Sequence, residues 1–343
     1  MLLIDKKAID VRSGQEYKKG TIPNSISMPI LDDDQHKLVG IDYKENGKES
    51  AITLGTNLVS GEKKQKLIED WISVIKKHGI EYIFCKRGGL RSKTAKKWLK
   101  EKNINIKILK GGYKAYRKKI VETHENLCNY KGNWFIITGF TGSGKTSIIR
   151  DLSSSIDLEG LAKHRGSTFG ALSEAQPSQQ NFENKLTHSY LKKHDGNIIL
   201  EAESRNIGSV ALPGKFYEKM RTSKYIFVEA DIKTRVDNIT NEYIKKPLKD
   251  GIRKSSLLSA YQEALGKIRK RLGHDNYITV NNEMKAAFGT QKASHKLWIR
   301  LLLEKYYDKL YKHKLDKINK QIIYSSDWSS CKNFLSSIDK PEY

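Results

Sequence analysis

Short apolar runs alternate with segments of helical period along most of this chain. Ile9-Asp-Val11 reads as a strand, and Tyr82-Ile83-Phe84 as a second. Lys93 to Lys102 carries the period of a basic helix, and Ile106 to Leu109 reads as a third strand closed by Gly111-Gly112. Strands that alternate with helices point to a parallel α/β domain. A second α/β unit opens at Trp134-Phe-Ile-Ile-Thr138, an unbroken apolar run of the kind a central parallel strand shows. Asn197 to Leu200 and Tyr225 to Val228 are expected in the same sheet. From about Ser255 to Lys320 the pattern turns helical and basic. There Leu297, Leu301, Tyr307 and Leu310 suggest an apolar stripe, ringed by Lys296, Arg300, Lys305, Lys309, Lys312, Lys314, Lys317 and Lys320. The expected division is 1–127 and 128–254 as two α/β domains, with 255–343 a mostly helical, basic part packed on the second.

Composition narrows the class. The 343 residues hold 63 Lys+Arg against 39 Asp+Glu, a formal charge of +24. Such a surplus predicts a polyanionic partner, nucleic acid or an anionic membrane surface. Seventeen Tyr, nine Phe and five Trp argue against an unstructured chain. No apolar run approaches the ~20 residues of a membrane span, and the apolar stretch in MLLIDKKAIDVRS is short for a signal peptide. A cytoplasmic protein without membrane contact is expected. Cys85, Cys128 and Cys331 lie far apart with no CxxC, so the expectation is three free thiols and no zinc ribbon. Cys128, near the boundary, and Cys331, in the tail, are expected to be inert.

Two motifs carry chemistry. Gly139-Phe-Thr-Gly-Ser-Gly144-Lys145-Thr146 matches G-x-x-x-x-G-K-[ST] between a strand and a helix. Its glycines let backbone N–H groups turn inward around a phosphate, and the helix N-terminus adds partial positive charge. Gly139, Thr141, Gly142, Ser143, Gly144, Lys145, Thr146 and Ser147 are the expected cradle. Lys145 should reach the terminal phosphate and Thr146 should ligate Mg²⁺. The expected acidic partner is Glu201 or Glu203, in Glu201-Ala-Glu203-Ser-Arg205, where many P-loop enzymes place Asp. The absence of N-K-x-D argues against a GTPase.

The second motif is Cys85-Lys86-Arg87-Gly88-Gly89-Leu90-Arg91-Ser92, after one strand and opening a helix. Loop N–H groups, the helix N-terminus and nearby cations should stabilise a thiolate and attract a tetrahedral anion. Chalcogen transfer of the rhodanese type and Cys-x5-Arg phosphatase chemistry both use such a loop. Asp10-Val-Arg12, Glu16-Tyr17 and Gly20-Thr-Ile-Pro23 resemble the first rhodanese signature, and Gly111-Gly112-Tyr113 its closing motif. These favour the rhodanese reading. A phosphatase fused to a P-loop ATPase, a sulfurtransferase acting on tRNA and a non-enzymatic RNA-binding protein stand as alternatives.

Further segments sharpen the resemblance: His164-Arg165-Gly166-Ser167, Gln176-Pro-Ser-Gln179-Gln180, Leu200-Glu-Ala-Glu-Ser-Arg205 and Arg271-Leu-Gly273. With the two motifs, they make the chain resemble the tRNA 2-selenouridine synthases over nearly its whole length. The resemblance implies a rhodanese-like domain followed by a P-loop domain. It implies conversion of 2-thiouridine at the tRNA wobble position to 2-selenouridine, with geranyl diphosphate alkylating the sulfur and selenophosphate supplying selenium. The partner implied is tRNA carrying wobble 2-thiouridine, and the selenophosphate-producing enzyme is a further expected partner; a monomer is favoured. The P-loop is implied to hold the diphosphate without ATP hydrolysis. Cys85, Arg91 and Lys145 are the implied catalytic groups. Arg87, Gly88, Gly89, Arg91 and Ser92 are implied to bind selenophosphate. A Cys loop one residue longer than the common rhodanese loop is expected to admit this phosphate-bearing donor. His164, Arg165 and Arg205 are candidate contacts to tRNA or diphosphate.

Overall fold

The computed structural model describes the chain except Met1, Lys131, Leu172, Ser173, His194, Asp195, 290–292 and 340–343, and except the side chains of Cys128, Asn129 and Lys314. The expectations for Cys128 and Lys314 therefore lie outside the described residues. The chain forms two compact units, Met1–Asn126 with Pro177–Lys192, and Leu127–Gln176 with Lys193–Tyr343.

The first unit is built on four parallel strands: β1 (Ala8–Asp10), β2 (Ser25–Ser27), β3 (Tyr82–Phe84) and β4 (Lys107–Ile108), in the order β2-β1-β3-β4. Both β1 and β3 are buried throughout, which explains why they read as apolar runs with no alternation. One face packs Ile9, Trp71, Ile83, Ala95 and Leu99 together. The other packs Ile22, Phe84, Tyr116 and Ile120. The helix after the Cys loop spans Leu90–Glu101, three residues earlier than its basic run suggests.

The second unit carries β5 (Trp134–Thr138), β6 (Ser155–Ile156), β7 (Ile198–Glu201), a hairpin of β8 (Asn206–Ile207) and β9 (Val210–Ala211), β10 (Lys224–Glu229) and β11 (Ile322–Asp327). The main sheet is parallel with order β11-β10-β5-β7-β6. All five residues of β5 are buried, as a central strand requires. The edge strand β11 begins just past Lys320, where the helical pattern ends, in a part of the chain expected to be mostly helical. It alternates half-buried and exposed residues, a signal only six residues long.

The helices beyond Lys254 form a second core with the segment after β10, around Leu265, Ile268, Met284, Trp298, Ile299 and Leu303. Half of the expected stripe packs on this core: Leu301 and Tyr307 are half-buried against it, whereas Leu297 and Leu310 face outward. Leu297 is 47% exposed and Leu310 41%, while Trp298, Ile299, Leu302, Leu303 and Tyr306 are buried. A π-helical turn at Leu303–Tyr307 adds a residue to the period there, so one 3.6-residue pattern cannot be carried across it. Among the described residues no helix is long and apolar enough to cross a membrane.

Candidate functional site

In the first unit, β3 delivers Cys85 to a loop that turns into the helix Leu90–Glu101. The Cys85 Sγ is 3.3 Å from Ser92 Oγ, whose one proton can turn to the sulfur or to the Gly89 carbonyl, 3.1 Å away. Burial alone would raise this thiol. The Ser92 hydroxyl, the backbone N–H groups of Ser92 and Arg87, and the Arg91 charge outweigh burial and hold it below its ordinary value. Gly112 shows why the closing motif needs glycine. Its φ is +58°, and a Cβ there would meet the Cys85 carbonyl oxygen at 2.2 Å and the Gly88 nitrogen at 2.5 Å.

Arg91 does not stand open to an incoming anion. Its Nη1 donates to Glu16 Oε2 at 2.5 Å, and His36 Nε2 lies 3.6 Å from the same oxygen. Lys86 and Arg87 are exposed. The Asp10-Val-Arg12 signature is a brace. Arg12 forms a buried ion pair with Asp10 at 2.6 Å, donates to the Gly20 carbonyl at 2.7 Å, and stacks 4.0 Å from the Tyr113 ring centroid. It ties the end of β1 to the Gly20 stretch of the signature and to the closing motif at Tyr113.

In the second unit, the loop after β5 forms one end of a cavity of about 1320 Å³. Lys145 Nζ donates to the carbonyls of Gly139 at 2.7 Å and Phe140 at 3.2 Å, folding back over the cradle its own loop makes. Gly144 has φ +85°, and a Cβ would press on the Trp328 ring at 3.1 Å. Trp328 Nε1 donates to the Gly144 carbonyl and to Ser147 Oγ, each at 3.1 Å. On the far side, Arg235 donates to the Thr141 carbonyl at 2.9 Å and Asn238 to the Gly142 carbonyl at 2.9 Å. Tyr311 receives the Gly139 N–H at 3.1 Å and shares a 2.7 Å hydrogen bond with Thr138.

Three carboxylates sit beside this cradle. Thr146 Oγ1 donates to Glu159 Oε2 at 3.2 Å, and the Glu159 backbone N–H donates to Glu201 Oε1 at 2.8 Å. Glu159 is pushed up to about 8, first by burial and then by the Glu203 charge. Glu201 is fully buried and also raised well above its ordinary value, by burial and then by the charges of Glu159 and Glu203. Both therefore favour protons or a cation.

Comparison with known proteins places this arrangement. Residues 132–341 match the model of the tRNA 2-selenouridine synthase AAA domain, and residues 2–119 match the rhodanese-like domain. The chain belongs to the tRNA 2-selenouridine synthase family. It is 37% identical to the tRNA 2-selenouridine synthase of Shewanella pealeana, covering 98% of this chain and 96% of that one. It is 39% identical to that of Shewanella piezotolerans, over 95% and 93% of the two chains. It is 36% identical to that of Nitrosomonas europaea, over 91% and 89%.

Within the family frame, the expected residues divide. Thr141 to Ser147, Arg165, Glu201 and Glu203 line the one cavity. Gly139 lies behind it, held by Tyr311. His164 and Arg205 do not line it: His164 bridges to Ala171, and Arg205 is exposed before the β8–β9 hairpin. Arg165 stacks 4.7 Å from the Tyr243 ring centroid. The sequence reading missed Glu159, Arg235, Tyr311 and Trp328. Glu159 had a signal, since it follows the P-loop helix at the N-terminus of a new helix, Leu158–Ala162. The other three come from segments with no motif. Cys331 is buried, and burial first of all pushes its thiol up to about 11, which suits an inert residue.

Proposed function

We propose that the protein converts wobble 2-thiouridine of tRNA to 2-selenouridine, in the cytoplasm, by two transfers. The observation that carries this reading is the pairing, in one chain of this family, of a P-loop with a thiol held below its ordinary pKa. In the first transfer, the 2-thio sulfur of the uridine attacks C1 of geranyl diphosphate. The C1–O bond breaks and diphosphate leaves. Lys145 and the N–H groups of residues 142–147 take up the charge that develops on the leaving oxygens. For Lys145 this means exchanging the Gly139 and Phe140 carbonyls for phosphate.

A divalent cation fits this site. Mg²⁺ keeps several waters and needs only one or two protein ligands beside phosphate, so a full protein cage is not required. Among the described residues there is no group of three or more His, Cys, Asp or Glu arranged as such a cage. Thr146 with Glu159, Glu201 or Glu203 would hold the ion, whose charge would relieve the repulsion among the three carboxylates. Bound there, it would help neutralise the departing diphosphate.

In the second transfer, selenophosphate supplies selenium and the S-geranyl group leaves as the thiol. Water cleaves the P–Se bond to give phosphate and hydrogen selenide, the selenide adds to C2 as the C2–S bond breaks, and Cys85 is proposed to act in this transfer by giving its thiol proton to the departing geranyl thiolate and regaining one from the added selenium. Arg87 and the loop N–H groups make the first contact with selenophosphate, and Arg91 contributes its charge. The Arg91–Glu16 pair speaks against the phosphatase alternative, which needs that guanidinium on a phosphate.

The test is mass spectrometry of wobble nucleosides after thiolated tRNA meets geranyl diphosphate and then selenophosphate. Lys145→Ala should lose geranylation and keep tRNA binding. Cys85→Ser should geranylate but not selenate. Full selenation by Cys85→Ser would remove the thiol from the mechanism.

A further inference from the structure

The P-loop cavity opens on a small recess of about 30 Å³. Thr141, Ile239, Tyr243 and Tyr307 line both, so the recess continues the cavity wall directly beside the phosphate cradle. Tyr261, Trp298 and Leu303 close its far end. Its mouth is formed by two π-helical turns, Thr240–Lys245 and Leu303–Tyr307, which present Tyr243 and Tyr307. Such turns cost regular hydrogen bonding and recur at functional sites.

The recess offers carbon and little else. The polar groups around it are already used within the protein. Tyr261 donates to the Tyr243 carbonyl at 2.5 Å, Ser167 and Tyr243 share a 3.3 Å hydrogen bond, and Trp298 Nε1 donates to His295 Nδ1 at 3.2 Å. A nucleoside base entering here would leave its own donors and acceptors unpaired, at a cost no neighbour offsets. A hydrocarbon carries none. An apolar void of this size also stays dry, so filling it displaces no ordered water.

We propose that this recess seats the far end of the hydrocarbon tail of a diphosphate whose head lies in the P-loop. The proposal rests on the prenyl-diphosphate reading above and adds the residues that measure the tail. In its resting shape the recess takes only the last carbons, and the rest of the tail lies across Ile239 and Tyr307. Leu303 and Trp298, at the closed end, then set the length that fits.

The decisive experiment uses the unaltered protein and a geranyl-length diphosphate bearing a diazirine at the tail end. Photolabel on the helix Lys254–Leu272 or on residues 295–307, displaced by geranyl diphosphate, is the expected result. Displaceable label confined to the Leu310, Tyr311 or Trp328 side of the cavity would overturn the recess while leaving the prenyl reading intact. Label that neither geranyl diphosphate nor inorganic pyrophosphate displaces would overturn both. Leu303→Trp, which fills the recess, supplies a second readout. Losing the burial of one or two methylene groups should weaken geranyl diphosphate binding by roughly ten-fold. Inorganic pyrophosphate should bind as before, which also reports that the variant is folded. Equal weakening of both ligands would count against the recess.

Discussion

The Arg235–Asp308 pair offers a quantitative test of how the C-terminal helices hold the P-loop. Arg235 is 4% exposed, and its guanidinium meets Asp308 in a two-pronged pair at 2.5 and 3.1 Å. Its Nε holds the Thr141 carbonyl. Asp308→Ala removes one partner and leaves a buried cation. Breaking a fully buried pair this way costs about 3–5 kcal/mol. The Asp308 side chain is 23% exposed, so water can reach the gap and a cost somewhat below that range, roughly 2–3 kcal/mol, is expected. For a unit of this size that corresponds to a fall in Tm of roughly 4–12 °C. Replacing both partners with apolar residues, Arg235→Met with Asp308→Leu, should recover part of the loss, because no charge is then left buried. The assay is thermal unfolding of Asp308→Ala, of Arg235→Met and Asp308→Leu singly, and of those two together, with pyrophosphate titrated into each. Arg235→Met should also bind pyrophosphate more weakly, since Thr141 loses its support. A cost for Asp308→Ala below about 0.5 kcal/mol, or strict additivity in the double variant, would refute the buried-charge argument.

At pH 7, iodoacetamide should label Cys85 much faster than Cys331, and Ser92→Ala should slow Cys85 by removing a hydrogen bond to the thiolate; equal rates for the two cysteines would contradict the electrostatics of the loop. Glu159 sits at about 8 in the fold against an ordinary 4.5, so the folded state holds the extra proton between those values. Its contribution to stability is therefore present below about pH 4.5 and lost as pH rises through 8, by up to about 1.4 kcal/mol per pH unit. Glu159→Gln should flatten the fall in Tm between pH 5 and 8, and an unchanged slope would show that Glu159 is already ionised. Binding of tRNA should weaken steeply between 50 and 200 mM salt, in filter-binding or anisotropy measurements, and a flat response would sever the link between the +24 charge and tRNA.

Both chemical motifs were legible because each depends on local backbone. A P-loop is a strand, a glycine turn and a helix within a dozen residues, and the Cys loop has the same logic. What the sequence hid was support from a distance. Tyr311 and Trp328 brace the P-loop through hydrogen bonds across more than 170 residues of chain, and no spacing rule encodes that. The apolar stripe failed in part for a different reason: in the helix His295–Leu302 the side facing the core carries Trp298, Ile299 and Leu302, which leaves Leu297 outside it. Arg91 was readable as a cation but not as a paired one, because Glu16 reaches it from 75 residues upstream.

The same distance argument applies to the division between the units. The helix Gln179–Leu191 follows the P-loop in sequence, yet it completes the first unit. Its Asn184 is fully buried and accepts from Arg117 at 2.5 Å while donating to the Thr21 carbonyl at 2.7 Å. Arg117 also pairs with Glu183, and Tyr116 shares a 3.0 Å hydrogen bond with His188. Burial, first of all, pushes His188 and His124 down to about 4, so both remain neutral at physiological pH and add no charge to that interface. Removing this helix would uncover a face of the rhodanese-like unit that holds Tyr113, Tyr116 and Arg117. Tyr113 is the residue on which Arg12 stacks, and Gly112 beside it closes the Cys85 loop. The P-loop half of the chain thus supplies an element on which the cysteine site depends. The order of the two motifs in the chain does not reveal that the first unit takes this helix from beyond the P-loop.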